Sequence, residues 1–287
     1  MRQTTLVIAA LQRLHPTLEC AVEVIRTEGD DEQGLNAAQI DGQGVFVRRI
    51  EAALLDGRID VAIHSAKDMP SESTPGLCVA AFPTREDPRD ALVSKGVCSL
   101  RELPVGALIG TGSPRRRAQL HDSRPDLTVE PLRGNVDTRI RRVMDGTVDA
   151  VVLAAAGLRR LGLQDAISEI LDPSLFTPAV CQGILAAQTR EGDRRSIEII
   201  SQLDDETTRA CAQAERAVAI AIGASCRTPV GAFAREDGGT CEVSTFLADE
   251  SGKVWRTTAR GPLSDAQRLG TEAGMALLRS AAAGLIA

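Results

Sequence analysis

Ser65, Lys67 and Asp68 place a hydroxyl, a cation and a carboxylate within four residues of one another, in the run Arg58-Ile59-Asp60-Val61-Ala62-Ile63-His64-Ser65-Ala66-Lys67-Asp68-Met69-Pro70. Residues 60–63 are predicted to form a short strand, because Val61 and Ile63 are β-branched and neither Gly nor Pro interrupts them. Pro70 prevents a direct continuation into a helix. Ligands of open α/β sheets sit at the carboxyl ends of strands, so this polar run is a candidate site; the plainer alternative is a solvated turn with a surface ion pair.

A second candidate is Gly110-Thr111-Gly112-Ser113-Pro114-Arg115-Arg116-Arg117. Here a strand ends, a loop of small residues follows, and a helix starts at or near Pro114 with Ser113 as its N-cap. Unpaired N–H groups at a helix start, with arginines beside them, attract anions. Arg133 ends the next strand, Arg139 lies in the helix after it, and Arg159-Arg160 follow a strand predicted at 149–153. Arginine makes planar two-point contacts with carboxylates, so the expected ligand is rich in carboxylate or phosphate. Arg141 and Arg142 are expected on a solvated helix face. No phosphate-loop or dinucleotide fingerprint is present, so nucleotide binding has no support.

The third candidate is Cys226, in Gly223-Ala224-Ser225-Cys226-Arg227-Thr228-Pro229-Val230-Gly231. A loop bounded by Gly and Pro exposes its thiol, and Arg227 favours the thiolate. The chain has seven cysteines, at 20, 78, 98, 181, 211, 226 and 241, and none falls in a C-x-x-C pair. That usage argues against a disulfide framework or a metal site and for a reducing cytoplasm.

The elements that must hold these residues alternate between strand and helix. Predicted are a helix at 7–14, a strand near 20–27, a polar loop to about 44, a helix at 46–55 and the strand at 60–63, then a strand at 77–82. A charged crossover at 84–90 leads to strand 107–110, a helix from 115, strand 127–131, helix 135–144 and strand 149–153. Residues 182–190 return to the first unit. A long helix at 205–221, strands at 241–247 and 253–259 and a helix at 264–284 close the chain. The alternation points to α/β units with mostly parallel sheets. With 287 residues, two or three domains are expected. No apolar run is long enough for a membrane span, and the N-terminus reads as an amphipathic helix and not as a signal peptide. One Trp, no Tyr and a net charge of −6 argue against nucleic-acid binding.

The stretches HSAKDMP, TREDPRDALVS, GTGSPRRRAQL, LRGNVDTR, AAAGLRRLGL, PAVCQG and GASCRTPVGAFA together closely resemble the porphobilinogen deaminase (hydroxymethylbilane synthase) family, over about residues 15 to 235. The resemblance implies two doubly wound, periplasmic-binding-protein-like domains, 1–83 with 184–201 and 89–178, plus a smaller α/β third domain at 205–287. It implies a dipyrromethane cofactor joined by a thioether to Cys226, and Asp68 as the active-site carboxylate with Lys67 beside it. Cofactor and substrate carboxylates would be held by Arg115, Arg116, Arg133, Arg139 and Arg160, with hydrogen bonds from Ser65, Thr111 and Ser113. Gln182 and Phe46 would lie by the cleft, and no metal is implied.

The implied reaction condenses four porphobilinogen molecules head to tail with loss of ammonia, in a cytoplasmic monomer. Asp68 would stabilise charge on the pyrrole nitrogens and pass protons. Two departures stand out. Aligned through His15-Pro16, the chain starts inside the family's first helix, so the preceding strand and its Arg-x-Ser-x-Leu-Ala loop would be absent. The loop before Phe46 reads Gln39-Ile40-Asp41-Gly42-Gln43-Gly44 where lysines are common. The alternatives are an inactive truncated form, or a non-catalytic anion-binding clamp; the clamp predicts a signal peptide and has no use for the cysteine loop.

Overall fold

The computed structural model describes residues 2–25, 42–225 and 228–284, with the side chains of 42–46 also outside that description. Along the chain run α1 (Arg2–Leu14), α2 (Gly42–Leu55), β1 (Ala62–Ser65), β2 (Leu77–Ala81), β3 (Asp90–Ser94) and β4 (Leu108–Gly110). Then come α3 (Pro114–Ser123), β5 (Thr128–Glu130), α4 (Val136–Met144), β6 (Ala150–Ala154), α5 (Ala155–Leu161) and β7 (Glu169–Ile170). The remainder is β8 (Leu185–Arg190), α6 (Arg194–Ile200), α7 (Glu206–Ile222), β9 (Val230–Asp237), β10 (Thr240–Ala248), β11 (Val254–Pro262) and α8 (Ala266–Gly284). These form two compact units, Met1–Arg85 with Ile184–Arg209, and Glu86–Gly183 with Ala210–Ala287.

In the first unit a three-stranded sheet has the order β1-β8-β2. Val7 and Leu11 of α1, one helical turn apart, pack with Ala81, Leu185, Ala187 and Ile200 on one face. Leu54 of α2 packs with Ala62 and Leu77 on the other. Asp56 and Gly57 follow the end of α2, Gly57 turning the chain at φ +70°.

The second unit contains a five-stranded sheet ordered β5-β4-β6-β3-β7. Successive residues of β6 serve opposite cores: Ala150 and Val152 pack with Leu92 and Ile109, while Val151 and Leu153 pack with Ala91 and Val93. A strand buried on both faces reads as a continuous apolar run, which is why β6 is legible in the sequence. Residues 210–262 add an antiparallel meander, β11-β10-β9, whose inner face packs Val243, Ala232 and Ala234 against Val218 of α7 and Leu269 and Ala273 of α8. Trp255 pairs with Leu247 across β10 and β11, and the Lys253 ammonium lies 5.6 Å from its ring centre.

Four expectations are corrected. The sheets are not mostly parallel: β8 runs antiparallel to both β1 and β2, and β3 antiparallel to β6 and β7, leaving only β4–β5 and β4–β6 parallel. β3 and β8 are each the first strand after the chain passes from one unit to the other, so no βαβ crossover sets their direction. The strand predicted at 60–63 lies at 62–65, where β8 supplies its partners. Residues 20–25 form no strand, Val22 and Val24 being 46% and 56% exposed; β-branched residues without a ladder partner do not make one. β3, β7, β9, α5 and α6 have no counterpart among the predicted elements, and β8 is expected only as a return segment.

Candidate functional site

In the first unit the polar run is placed by β1. Ser65 ends the strand, and Ala66–Asp68 form a single 3₁₀ turn. The turn is tied to β8 by the Ala66 N–H donating to the Ile184 carbonyl at 3.0 Å. Asp68 is half-buried, and burial pushes its carboxyl above the ordinary range while Lys67 pulls the other way. Ser65 accepts a 2.7 Å hydrogen bond from Gln3 Nε2.

Beneath this turn lies a buried polar chain that nothing local in the sequence announces. Thr74 Oγ1 donates to Glu51 Oε2 at 2.8 Å, Gln188 Nε2 donates to Glu51 Oε1 at 2.9 Å, and Gln188 Oε1 lies 3.0 Å from His64 Nε2. Burial lowers the His64 pKa, outweighing the bond to Gln188 and the charge of Glu51. Sequence alone puts His64 in the polar turn; the antiparallel pairing with β8 draws it into the strand and inward.

In the second unit α3 starts as predicted, with Pro114 in its first turn and the Ser113 hydroxyl accepting from the Arg116 N–H. Thr111 is buried and accepts from the Ser113 N–H at 3.2 Å. Arg115 and Arg116, however, both point at Asp90. Arg115 Nη1 lies 2.8 Å from Asp90 Oδ2 and 2.6 Å from the Thr177 carbonyl. Arg116 binds Asp90 Oδ1 through Nε and Nη2 at 3.0 and 2.7 Å, and donates to the Val152 carbonyl. Gln182 completes the cluster, donating to Asp90 Oδ1 and the Pro88 carbonyl and accepting from Arg116. Asp90 is 0% exposed. Burial would raise its pKa, but Arg115 and Arg116 overwhelm that and hold the carboxyl far below the usual range.

Gln182 follows Cys181, a buried non-glycine residue at φ +58°, a conformation costing about 1–2 kcal/mol. The Cys181 N–H is held by Glu215 of α7, whose other oxygen accepts from the Ala234 N–H. That anchoring offsets the strain and aims Gln182 at Asp90.

The remaining arginines are differently placed. Arg133 is exposed just before Gly134 and the α4 N-cap Asn135, with no hydrogen-bond or ion-pair partner among the described residues. Arg139 is half-buried and gives Nε to the Gly134 carbonyl at 2.8 Å; burial and the nearby charge of Arg116 push its pKa down. Arg160, its pKa also lowered by burial, donates to the Gly183 carbonyl at 2.7 Å. Arg141 and Arg142 lie exposed on α4. Arg115 Nε is buried without a partner among the described residues. Cys226 and the Phe46 side chain, like residues 26–41 in general, lie outside the described residues. Among the described residues no cluster suits a metal ion, and no helix is long and apolar enough to cross a membrane.

A half-buried carboxyl on a strand-end turn, and Arg133 exposed without a partner among the described residues, are compatible with an α/β enzyme acting on carboxylate-bearing molecules. Two family models match the chain, "Porphobilinogen deaminase, dipyromethane cofactor binding domain" over residues 1–198 and "Porphobilinogen deaminase, C-terminal domain" over 209–279. Porphobilinogen deaminases of Sorangium cellulosum (45% identical, 96% of each chain), Roseiflexus sp. (46%, 99% of this chain and 94% of that one) and Chromobacterium violaceum (44%, 100% and 93%) align with it. The chain belongs to the porphobilinogen deaminase family. It is thus a transferase of tetrapyrrole biosynthesis that uses a dipyrromethane cofactor. A probable amino-acid ABC transporter extracellular-binding protein of Bacillus subtilis resembles it loosely (TM-score 0.41, 9% identity, 70% of this chain and 79% of that one), too loosely to bear on function.

Proposed function

We propose that the chain makes hydroxymethylbilane from four porphobilinogen molecules, releasing ammonia, with Asp68 as its catalytic carboxylate. The observation that carries this reading is the half-buried Asp68 on a strand-end turn, its pKa raised by burial. An ionised carboxylate there can accept pyrrole N–H hydrogen bonds and stabilise positive charge on the ring during each condensation. The same group can give a proton to the departing amine and take one from the new ring carbon.

The residues present fit a dipyrromethane. Its carboxylates match Arg133, which has no partner among the described residues, and Arg139, crowded by Arg116. Thr111 and Ser113 offer hydroxyls at the start of α3. When bound, the group supplies the primer on which pyrroles are added. Cys226 is its point of attachment on the reading of the sequence, where Gly223 and Pro229 bound the run and Arg227 stands next to the cysteine. Arg115, Arg116 and Gln182 act one step back, holding the α3 start in place through Asp90. Arg160 and Phe46 complete the substrate side. We place the enzyme in the cytoplasm, as a monomer; the scattered cysteines, none in a C-x-x-C pair, support the reading of a reducing compartment.

The test is direct. Purified protein should carry the mass of one dipyrromethane, peptide mapping should find it on Cys226, and added porphobilinogen should be consumed. An adduct on Cys20, Cys78, Cys98, Cys181, Cys211 or Cys241 would refute the attachment, and an adduct-bearing protein inert toward porphobilinogen would refute the activity.

A further inference from the structure

The chain Thr74–Glu51–Gln188–His64 has no part in binding or chemistry as set out above, yet it occupies the face of β1 and β8 that packs against α2. Glu51, Gln188 and His64 are each no more than 5% exposed. Apolar side chains would fill that space without any need for hydrogen bonds, so a polar chain there must be satisfied throughout or destabilise the fold. It is satisfied in one direction only. A carboxylate can only accept, so the Gln188 amide must turn its NH₂ to Glu51 and its oxygen to His64. That oxygen in turn needs a donor, which puts the ring proton of neutral His64 on Nε2.

The geometry continues to Asp68. Gln188 pairs with Ala62, and His64 with Ala186, so His64 and Gln188 are diagonal neighbours across the β1–β8 ladder. His64 is the penultimate residue of β1, and the turn bearing Asp68 begins two residues later. We infer that Glu51, acting through the oriented amide of Gln188 on the Nε2–H tautomer of His64, is a positioning residue that fixes the end of β1 and hence the Asp68 carboxylate. The inference rests on the reading of Asp68 as the catalytic group. Glu51 touches no reacting atom; its effect is on where Asp68 stands. A misplacement of about 1 Å at a catalytic group can cost about a hundredfold in rate.

The polarity of the chain gives a test that mere packing does not. In Glu51→Gln the sense of the chain is no longer dictated: the new amide can keep its oxygen toward Gln188 and give its NH₂ to the Thr74 hydroxyl, or turn its NH₂ to Gln188, which then donates to His64. Both arrangements satisfy every bond, so the His64 proton is divided between Nε2 and Nδ1. In Glu51→Gln/Gln188→Glu the carboxylate now on β8 accepts from both the new α2 amide and His64, and the Nε2 proton returns. The experiment combines long-range nitrogen–proton NMR of His64, one of three histidines in the chain, with kcat and KM for porphobilinogen, Asp68→Asn serving as the reference. Expected are an Nε2–H signal alone in the parent protein, signals of both tautomers in Glu51→Gln with kcat down about tenfold or more and KM within about twofold, and return to the single Nε2–H signal with recovery of kcat in the double variant. An Nδ1–H or imidazolium signal in the parent protein overturns the inference without any variant needing to fold. So does an undiminished kcat in Glu51→Gln where Asp68→Asn is inactive, or a double variant that regains the tautomer but not the rate. If Asp68→Asn keeps full rate, the reading of Asp68 fails first and takes this one with it.

Discussion

Each unit keeps a buried polar knot under its functional loop, and the two are built on opposite principles. In the second unit the knot is ionic: one carboxylate, Asp90, between two guanidinium groups, with Gln182 donating to it as well. In the first it is a chain of directed hydrogen bonds in which neutral His64 and an amide separate Glu51 from the turn that carries Asp68. The ionic knot tolerates no missing partner, because a lone buried charge is far costlier than the pair. The directed chain can be rebuilt with reversed polarity. Stiffness under the α3 start comes from charge balance; orientation under Asp68 comes from the sense of an amide.

The largest effect should come from Asp68 itself. Asp68→Asn keeps size and hydrogen-bonding atoms but loses the charge, and porphobilinogen turnover should fall by about a hundredfold or more while the melting temperature holds. Rates within a few-fold of the parent's would remove Asp68 from the reaction.

Asp90→Asn should act on stability and not first on chemistry. It leaves Arg115 and Arg116 buried without a counter-charge, at a cost of about 3–5 kcal/mol in denaturant unfolding. A loss under about 1 kcal/mol would mean the arginines find other partners, and the contrast between the knots would dissolve.

The arginines themselves then sharpen the comparison. Arg133→Leu and Arg139→Leu should lower dipyrromethane loading or chain elongation by about 2–5 kcal/mol equivalents of binding, with little change in melting. Arg115→Leu or Arg116→Leu should lower the melting temperature, since each strips buried Asp90 of hydrogen-bond donors. Arg141→Ala and Arg142→Ala, on the exposed face of α4, should change either property by about 0–1 kcal/mol. Uniform behaviour across all six would erase the division between structural and ligand-facing guanidinium groups.

The smallest effect is one of pH. The folded pKa of Asp90 is depressed, so its contribution is intact above the unfolded carboxyl value of about 3.9 and is lost only as pH falls below it. The folded pKa of His64 is lowered from 6.5, so stability is lost as pH falls below that value, where the unfolded chain takes the proton first. Asp68, with a raised pKa, works the other way, relieving a cost as pH falls, so the measurement belongs in Asp68→Asn. In that variant, hydrogen exchange corrected for intrinsic rates should show protection at 62–65 and 185–190 falling by up to about 1–2 kcal/mol between pH 7 and pH 5. Protection at 90–94 and 150–154 should not change. Equal losses in both places would deny the two knots their different chemistry.

Much of this is written locally in the sequence and the rest is not. Ser113, Pro114 and the arginines after them announce a helix start because capping is a matter of adjacent residues. β6 is legible because a strand buried on both faces is apolar throughout. Asp90 reads as part of a charged crossover, since its partners Arg115, Arg116 and Gln182 lie 25 to 92 residues away and nothing local marks a buried counter-ion. β3 hides in the same way, its Ala91-Leu92-Val93 core masked by the charges before it. His64 reads as a turn residue because the strand that draws it inward, β8, arrives more than 120 residues later. Glu51 looks like one more polar residue on a one-faced helix. Long-range pairing decides all four, and periodicity cannot see it.

Trp255 on β11 is the chain's one tryptophan, and there is no tyrosine. Absorption near 280 nm and intrinsic fluorescence therefore come almost wholly from a single indole set between the Lys253 ammonium and its ladder partner Leu247. Emission becomes a local gauge of the β9–β11 meander, silent about the sheets beneath Asp68 and Asp90. A denaturation curve followed by fluorescence would time the opening of that one sheet, and its divergence from the far-ultraviolet circular dichroism curve would show directly whether the two units let go together.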